Sequence, residues 1–328
     1  MNNKPSELVY EGLNQENLEA LRDFYSMQQI IKVSLETRGL INTTLHILSS
    51  SGKFTATFFR SKNNAQVATI AEIMSALEGL PIAKPIRGQN GYVFNLNDTS
   101  AIVCPFIEGV HTVREDHTVK THIDSETHRN VAELFWKLHR QLRQLSALGE
   151  NLPISDDISA EGSLERVDQY THALDLSVDH RTKIVSFCRR CQEGITKDSK
   201  KDAPYLIHSD FERQNILLSH DGKINGIVDF DALKKGNLLY EFAHALYNFA
   251  CCDPEPSNRD IDIYLDSFVK AGILPAEGLG GIYSLMCRFC IEDLSGFLEI
   301  AHQRPVNLQK LIEHYEGALS FAHNYFQP

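Results

Sequence analysis

The chain has 328 residues, of which 42% are apolar, and a formal net charge of −11. This length and apolar content support one large domain or two unequal lobes with a sizeable hydrophobic core. The negative charge argues against nucleic-acid binding, which needs a basic stripe to neutralise phosphates, and no apolar run is long enough to span a membrane.

The first hundred residues predict a helix followed by an antiparallel sheet. The spacing of apolar residues over 14–26 is that of a short amphipathic helix. Runs of β-branched and aromatic residues, separated by turns, then predict strands over 30–35, 44–48, 54–59, 92–95 and 101–103. A helix over 65–80, which Pro81 stops, is inserted after the third of these strands.

Beyond residue 104 the pattern becomes mainly helical. Helical periodicity covers 125–146, 162–173, 178–195, 238–250, 259–271, 276–302 and 305–324. One strand–loop–strand segment, 205–230, interrupts these helices. We therefore predict a small β-rich lobe over 1–103 and a larger, mostly helical lobe over 104–328, joined by a hinge at about 104–109.

The segment 205–230 carries the residues that suggest a chemical function. It opens with the loop His208-Ser209-Asp210-Phe211-Glu212-Arg213-Gln214-Asn215, and an apolar strand, a turn and a second apolar strand lead to Asp229-Phe230-Asp231. An antiparallel hairpin returns its far end to its start, so Asp210, Asn215 and Asp229 can face one volume. Transfer of a phosphoryl group to a hydroxyl needs such a set, with a carboxylate to accept the proton and oxygen ligands for Mg²⁺.

Asp and Asn beside turns are common for conformational reasons, but the complete pattern is much narrower. It resembles the catalytic segment of the superfamily that contains aminoglycoside phosphotransferases, choline kinases and type II homoserine kinases. The order of the lobes, the position of the hinge and the run Leu-Tyr-Glu-Phe-Ala at 239–243 extend this resemblance over most of residues 30–300. The resemblance implies an α+β, two-lobed, protein-kinase-like fold.

The resemblance also implies roles for individual residues. Asp210 would be the catalytic base, and Asn215 and Asp229 would be the Mg²⁺ ligands. His208 would brace the loop, and Glu241 would steady it from the following helix. ATP and Mg²⁺ are therefore the expected cofactors, and the partner is a small molecule that carries a hydroxyl group.

The nucleotide site follows from the same resemblance. The backbone around Cys104 and Phe106 would bind adenine, as a hinge does. The turn over 38–44 lies where a phosphate-covering loop belongs and resembles the Gly-x-x-Asn-Thr-Thr version of homoserine-kinase-like members, in which Thr43 and Thr44 would contact phosphate. An ordinary hairpin turn explains this turn sequence equally well.

The third strand departs from the family pattern, which places a lysine for the ATP phosphates there. Alignment of the small residues puts Thr57, or the residue after it, at the lysine position. Arg60 is a poor substitute. Side chains two residues apart on a strand share a face, so if Arg60 faced the phosphates, the phenylalanine two residues before it would crowd the adenine. Lys32 and Lys53 are the alternatives. Glu72 on the inserted helix is either the partner of such a cation or an ordinary surface residue.

Cysteine usage indicates reduced thiols. The seven cysteines form no regular disulfide framework, which favours a cytoplasmic protein. Two C-x-x-C pairs, Cys188 with Cys191 and Cys287 with Cys290, lie far apart within helical patterns. Buried thiols explain these pairs better than a zinc site does.

Three functions are compatible with these features. The first is transfer of the γ-phosphoryl group of ATP to a hydroxyl of an amino alcohol, a hydroxy amino acid or an amino sugar. The second is a protein Ser/Thr kinase, which is disfavoured because no Ala-Pro-Glu run or activation segment follows Asp229. The third is a nucleotide-binding pseudokinase or scaffold. The missing third-strand lysine favours this third function, and the intact catalytic segment opposes it.

Charges of both signs mark the region expected to bind the acceptor. The helix over 276–302 carries Arg288, Glu292, Asp293 and Glu299, and Arg213 and Asp231 lie near the catalytic loop. Arg288 and Glu292 are spaced as a pair on one helix face. The mixture is compatible with a zwitterionic acceptor and does not exclude sugars.

Overall fold

The N-terminal part of the chain forms an antiparallel sheet. This computed structural model describes residues 14–36, 42–113, 121–154, 160–195, 204–273, 276–303 and 306–327. In chain order the N-terminal elements are α1 (Gln15–Phe24), β1 (Ile30–Leu35), β2 (Thr43–Ser49), β3 (Gly52–Phe59), α2 (Asn64–Ala76), β4 (Phe94–Leu96) and β5 (Thr99–Pro105). Among the described residues the strands pair in the order β1-β2-β3-β5-β4. The predicted sheet with one inserted helix is confirmed.

The two faces of this sheet have different environments. Alternate residues of a strand point to opposite sides, so Leu45, Ile47 and Phe58 pack in a core with Leu21 of α1. The residues between them line a cleft on the opposite face. The sheet therefore forms the roof of the cleft, and α1 covers its outer side.

The C-terminal part is mainly helical. Its helices are α3 (Ser125–Gln144), α4 (Ala160–Ala173), α5 (Val178–Gly194), α6 (Leu238–Leu246), α7 (Asn258–Ala271), α8 (Ile282–Gln303) and α9 (Leu308–Phe326). Its strands are β6 (Tyr205–Ile207), β7 (Ile216–Leu218), β8 (Ile224–Ile227) and β9 (Lys234–Gly236), which form the two pairs β6–β9 and β7–β8. In the described part of the chain, no helix is long and apolar enough to cross a membrane.

Side-chain caps determine where several of these helices begin. Asp124, Ser177, Asn237 and Ser257 each accept a hydrogen bond from a backbone N–H in the first turn of α3, α5, α6 and α7. Such caps satisfy N–H groups that have no partner within the helix. The caps define the start of α6, the helix that follows the catalytic segment.

The structure corrects two of the predicted boundaries and adds one strand that was not predicted. The helix predicted over 65–80 ends at Ala76, because Leu77 is already extended. The helix predicted over 238–250 is α-helical only to Leu246 and continues as a π-helical turn, Tyr247–Cys251. β9 was missed, because its residues have no strand-like apolar pattern and pair with β6 only in the folded chain.

An aromatic cluster packs the catalytic segment onto the helices. Phe211 of the catalytic loop lies 5.2 Å from Phe135 of α3, measured between ring centroids, and Phe135 in turn contacts Phe242 of α6. Edge-to-face contacts of this kind add to the free energy of burying the rings. All seven cysteines are free and buried, the state predicted for them.

Candidate active site

Asp210 and Asn215 lie at the two ends of the loop between β6 and β7. The side-chain amide Nδ2 of Asn215 donates hydrogen bonds to Asp210, to its carboxylate Oδ2 at 2.7 Å and its backbone carbonyl at 2.9 Å. A 3-10 turn, Arg213–Asn215, gives the loop the tight curvature that this contact needs. The loop thus aims a carboxylate and an amide into the same cleft.

The hairpin β7–β8 brings Asp229 to these two residues. The Val228 N–H donates to the Asn215 carbonyl at 2.9 Å, which holds the end of β8 beside the loop. Asp229 has left-handed backbone angles, φ 65° and ψ 61°, and its side chain lines the cleft. Few residues other than glycine adopt this conformation without strain, and such strain is concentrated at functional sites.

Crowded carboxylates dominate the electrostatics of the cleft. Burial, followed by the charges of Glu212 and Asp231, raises the pKa of Asp210 well above its usual range. Asp229 is exposed to the cleft, yet the surrounding protein and the charge of Asp231 also raise its pKa. Burial and the charge of Asp293 raise the pKa of Glu212 to about 8. Such a group of acids favours occupation by cations.

The donor atoms present suit Mg²⁺. Because Asn215 uses its amide nitrogen toward Asp210, its side-chain oxygen is available to a cation in the cleft, which Asp229 also lines. Among the described residues, no group of three or more His, Cys, Asp and Glu could hold a metal by itself. Mg²⁺ usually takes one or two protein oxygens and completes its shell with phosphate and water, so a small protein set fits it.

Glu241 supports the catalytic loop from α6. Its Oε1 accepts the backbone N–H of Ser209 at 2.6 Å, and Ser209 has a left-handed φ of 67°. Burial raises the pKa of Glu241 to about 8, and His139 lies 3.4 Å from its other oxygen. His208 packs its ring against Phe230 at 4.6 Å, and burial lowers the pKa of this histidine to about 4. His208 is therefore a neutral part of the core.

Arg213 is a component of the loop whose buried position was not predicted. Its side chain is only 1% exposed and forms an ion pair with Asp253. The guanidinium also donates to the carbonyl oxygens of Thr121 and Asn248, both at 3.0 Å, and to that of Phe249 at 2.6 Å. Arg213 thus ties the loop to the π-helical turn and to the segment before α3.

At the hinge, both residues predicted to bind adenine line the cleft. Cys104 is buried, and Phe106 lies at the cleft wall with its ring 5.0 Å from that of His46. The Phe106 N–H already donates to the Lys53 carbonyl at 3.0 Å. A nucleotide at the hinge would therefore have to use neighbouring backbone groups.

The two threonines of the phosphate-covering turn lie on different faces. Thr44 lines the cleft, whereas the Thr43 side chain is 4% exposed and shares the core-facing side of β2 with Leu45. Strand alternation is the reason, since neighbouring side chains of a strand point to opposite faces. Thr44 can thus offer its hydroxyl to the cleft, and Thr43 cannot. The first part of this turn, 38–41, lies outside the described residues.

No lysine of β3 and no glutamate of α2 lines the described part of the cleft. Thr57 of β3 lines the cleft at the lysine position, and α2 presents Ile70 and Met74 to it. Glu72 is exposed and lies outside the cleft, as a surface residue does.

The two alternative lysines are also outside the cleft. Lys32 is exposed on β1, and Lys53 forms an exposed ion pair with Glu108 at the hinge. Neither lysine lines the cleft. Lys62, which the sequence analysis did not single out, does line it.

The opposite end of the cleft contains two acids that accept hydrogen bonds. Glu292 accepts from the Tyr240 hydroxyl at 2.6 Å and from Arg288 Nε at 2.8 Å, so the predicted Arg288–Glu292 pair is present. Asp293 accepts from the Tyr315 hydroxyl, and burial raises its pKa. The cleft has a volume of about 790 Å³, within the range of small-molecule sites.

The antiparallel sheet and the mainly helical part that follows it have the fold of a kinase-like phosphotransferase. The sequence model of the phosphotransferase enzyme family matches residues 34–270, which is most of the chain. The chain belongs to this family, and the predicted superfamily, fold class and enzyme class are confirmed.

Solved structures share this fold at low sequence identity. A spectinomycin phosphotransferase in complex with ADP and spectinomycin is 13% identical, with a TM-score of 0.71 over 96% of this chain and 98% of that one. An aminoglycoside phosphotransferase from Alicyclobacillus acidocaldarius is 11% identical, with a TM-score of 0.62 over 92% and 90%. An ethanolamine kinase from Plasmodium vivax is 14% identical, with a TM-score of 0.51 over 88% and 82%.

Proposed function

We propose that the protein transfers the γ-phosphoryl group of ATP to a hydroxyl of a small molecule, with Mg²⁺ as the cofactor. The hydrogen bond of 2.7 Å between Asn215 and the Asp210 carboxylate, with Asp229 on the same wall of the cleft, is the observation that carries this proposal. Phosphoryl transfer depends mainly on positioning and charge stabilisation, and this arrangement provides both.

Each of the three residues has a separate task. Asp210 orients the acceptor hydroxyl and accepts its proton, while the Asn215 amide fixes the orientation of that carboxylate. Asp229 and the Asn215 side-chain oxygen hold Mg²⁺, which would neutralise charge on the phosphates. A cation in the cleft also favours ionised Asp210, which counteracts the burial that raises its pKa.

The hinge at 104–109 would hold the adenine. Cys104 and Phe106 line the cleft there, and Thr44 lies above the region of the phosphates. We place the boundary between the lobes at residue 104, one residue before the end of β5.

The acceptor end favours a positively charged or zwitterionic molecule. Glu212 and Asp293 line this end, where the charge of Asp293 acts on Glu212, while Arg288 is paired with Glu292. An ammonium group of an amino alcohol, a hydroxy amino acid or an amino sugar would offset the repulsion among these acids. Ethanolamine, named for one of the similar structures, is an amino alcohol.

An ATP-consumption screen of the purified protein tests the proposal. The panel contains homoserine, choline, ethanolamine, hexosamines and aminoglycosides, and Asp210→Asn is the matched control. We expect Mg²⁺-dependent phosphorylation of at least one amine-bearing alcohol by the wild type and none by the control. Label transferred only to added protein would instead indicate a protein kinase. Stabilisation by Mg²⁺–ATP with no turnover of any acceptor would indicate a pseudokinase.

A further inference from the structure

Acidic side chains predominate in the region of the cleft that would hold the phosphates. Asp210, Asp229 and Asp231 line the cleft, and Thr57 stands where the family has its lysine. A nucleotide triphosphate would add further negative charge there. If ATP binds as proposed above, Mg²⁺ and a cationic side chain from another element must offset this repulsion.

Four of the described lysine and arginine side chains line the cleft and could contact the phosphates. They are Lys62, Arg213, Lys234 and Arg288. Arg213 is paired with Asp253 and Arg288 with Glu292. Lys234 lies on β9, where its charge acts on Glu241 and on His244 behind the catalytic loop. Only Lys62 comes from the small lobe, which covers the phosphates in this fold.

The loop that carries Lys62 lies beside the metal-binding turn. Asn42 accepts the Arg60 N–H at 3.2 Å and donates to the Asp231 carboxylate, so it links the end of β3 to the turn after Asp229. Helix α2, which follows the Lys62 loop directly, packs against the same turn, Phe230–Ala232. Lys62 is half-buried, and no hydrogen bond or ion pair engages it within the described ranges.

We propose that Lys62 binds the phosphate chain of ATP in place of the third-strand lysine. The α2 residues that line the cleft with Thr57 are Ile70 and Met74, and Glu72 is exposed outside it, so a lysine at position 57 would find no carboxylate partner on α2. The loop between β3 and α2 brings a lysine to the cleft without such a partner. Its long side chain can reach the phosphates while its stem packs on the cleft wall.

Calorimetric binding tests this assignment without knowledge of the acceptor. The ligands are a non-hydrolysable ATP analogue with Mg²⁺, and adenosine, which lacks phosphates. The variants are Lys62→Met, Lys62→Arg and the control Lys32→Met, which removes the same charge from an exposed site in the same lobe. Lys234→Met tests the other lysine that lines the cleft, and Arg38→Met tests the arginine that begins the turn over 38–44 in the sequence.

Lys62→Met should weaken binding of the Mg²⁺–ATP analogue by about 10- to 100-fold and leave adenosine binding unchanged. Lys62→Arg should recover most of the loss, and Lys32→Met should change the affinity by less than about twofold. The Lys62 assignment would be overturned if Lys62→Met kept wild-type affinity, or if only Lys234→Met or Arg38→Met showed a comparable loss. The proposed function would stand in either case. A wild-type protein that binds no nucleotide would overturn the proposed function as well.

Discussion

Two residues of the candidate site are held in strained backbone conformations. Ser209, which precedes Asp210, and Asp229 have left-handed φ angles of 67° and 65°. The hydrogen bond from the Ser209 N–H to Glu241 stabilises one of these conformations, and the Val228–Asn215 contact lies beside the other. Strain of about 1–3 kcal/mol for each such residue persists only where surrounding contacts fix it. The site is therefore preorganised by its neighbours.

Substitutions of the two aspartates should separate catalysis from metal binding. Asp210→Ala should reduce turnover by about 10²- to 10⁴-fold and leave Mg²⁺–ATP affinity nearly unchanged, because it removes the base and keeps the metal ligands. Asp229→Ala should instead abolish the dependence of nucleotide affinity on Mg²⁺. Steady-state kinetics and calorimetry with and without Mg²⁺ measure these effects. Asp221→Ala, in the exposed turn of the same hairpin, is the control. Equal effects of both substitutions on binding would contradict the separate roles.

At the scale of elements, Arg213 connects the catalytic loop to the end of a helix. Carbonyl groups near the C-terminus of a helix have no partner within it. The Arg213 guanidinium donates hydrogen bonds to two such carbonyls, those of Asn248 and Phe249. Asp253 neutralises the buried charge and also accepts from His122 at 2.6 Å. The π-helical turn and the loop thus share one polar anchor. Either element would lose hydrogen bonds if the other moved.

Replacement of Arg213 alone should lower the free energy of unfolding far more than replacement of Arg213 and Asp253 together. Arg213→Met should lower the free energy of unfolding by about 3–5 kcal/mol, because it leaves Asp253 buried without its partner. The double variant Arg213→Met/Asp253→Leu should regain most of this loss, since no buried charge remains unpaired. Urea denaturation measures both values. Equal destabilisation by the single and double variants would show that the ion pair itself is not the cause.

At the scale of the whole molecule, buried acids and buried histidines make stability depend on pH. Burial raises the pKa of Glu212 and of Glu241 to about 8, so the folded state retains protons that the unfolded state has lost. Burial lowers the pKa of His208 and His244 to about 4, which disfavours the folded state below the usual histidine pKa. Above pH 7 the two histidines no longer contribute, since they are then neutral in both states, and the two glutamates still do.

Stability without metal or nucleotide should therefore fall between pH 7 and pH 8.5. The expected loss is about 1 kcal/mol for each of the two glutamates, because the unfolded state binds fewer protons than the folded state in this window. Denaturation at both pH values measures it. Glu241→Gln should remove about 1 kcal/mol of this loss, and Glu299→Gln, at an exposed position, should leave the loss intact. Stability that is constant or rises over this window would contradict the prediction.

The sequence by itself determined the fold class and the composition of the catalytic loop. Both rest on local patterns, namely strand alternation, helical periodicity and the spacing of Asp210, Asn215 and Asp229 within one loop and one hairpin. The hairpin returns Asp229 to the loop whatever the rest of the chain does. A pattern of this kind can be recognised without knowledge of distant contacts.

Only the tertiary structure decided which other residues share the cleft. Asn42 and Asp231 are 189 residues apart in the chain, and Arg213 and Asp253 are 40 apart, so no local pattern indicates either contact. The same holds for Lys62, which is an ordinary loop lysine in the sequence and lines the cleft because α2 packs on the turn after Asp229. Strand alternation already indicated that the third strand lacks the family's lysine. Which lysine lines the cleft instead depends on both parts of the chain, because residues from both form the cleft.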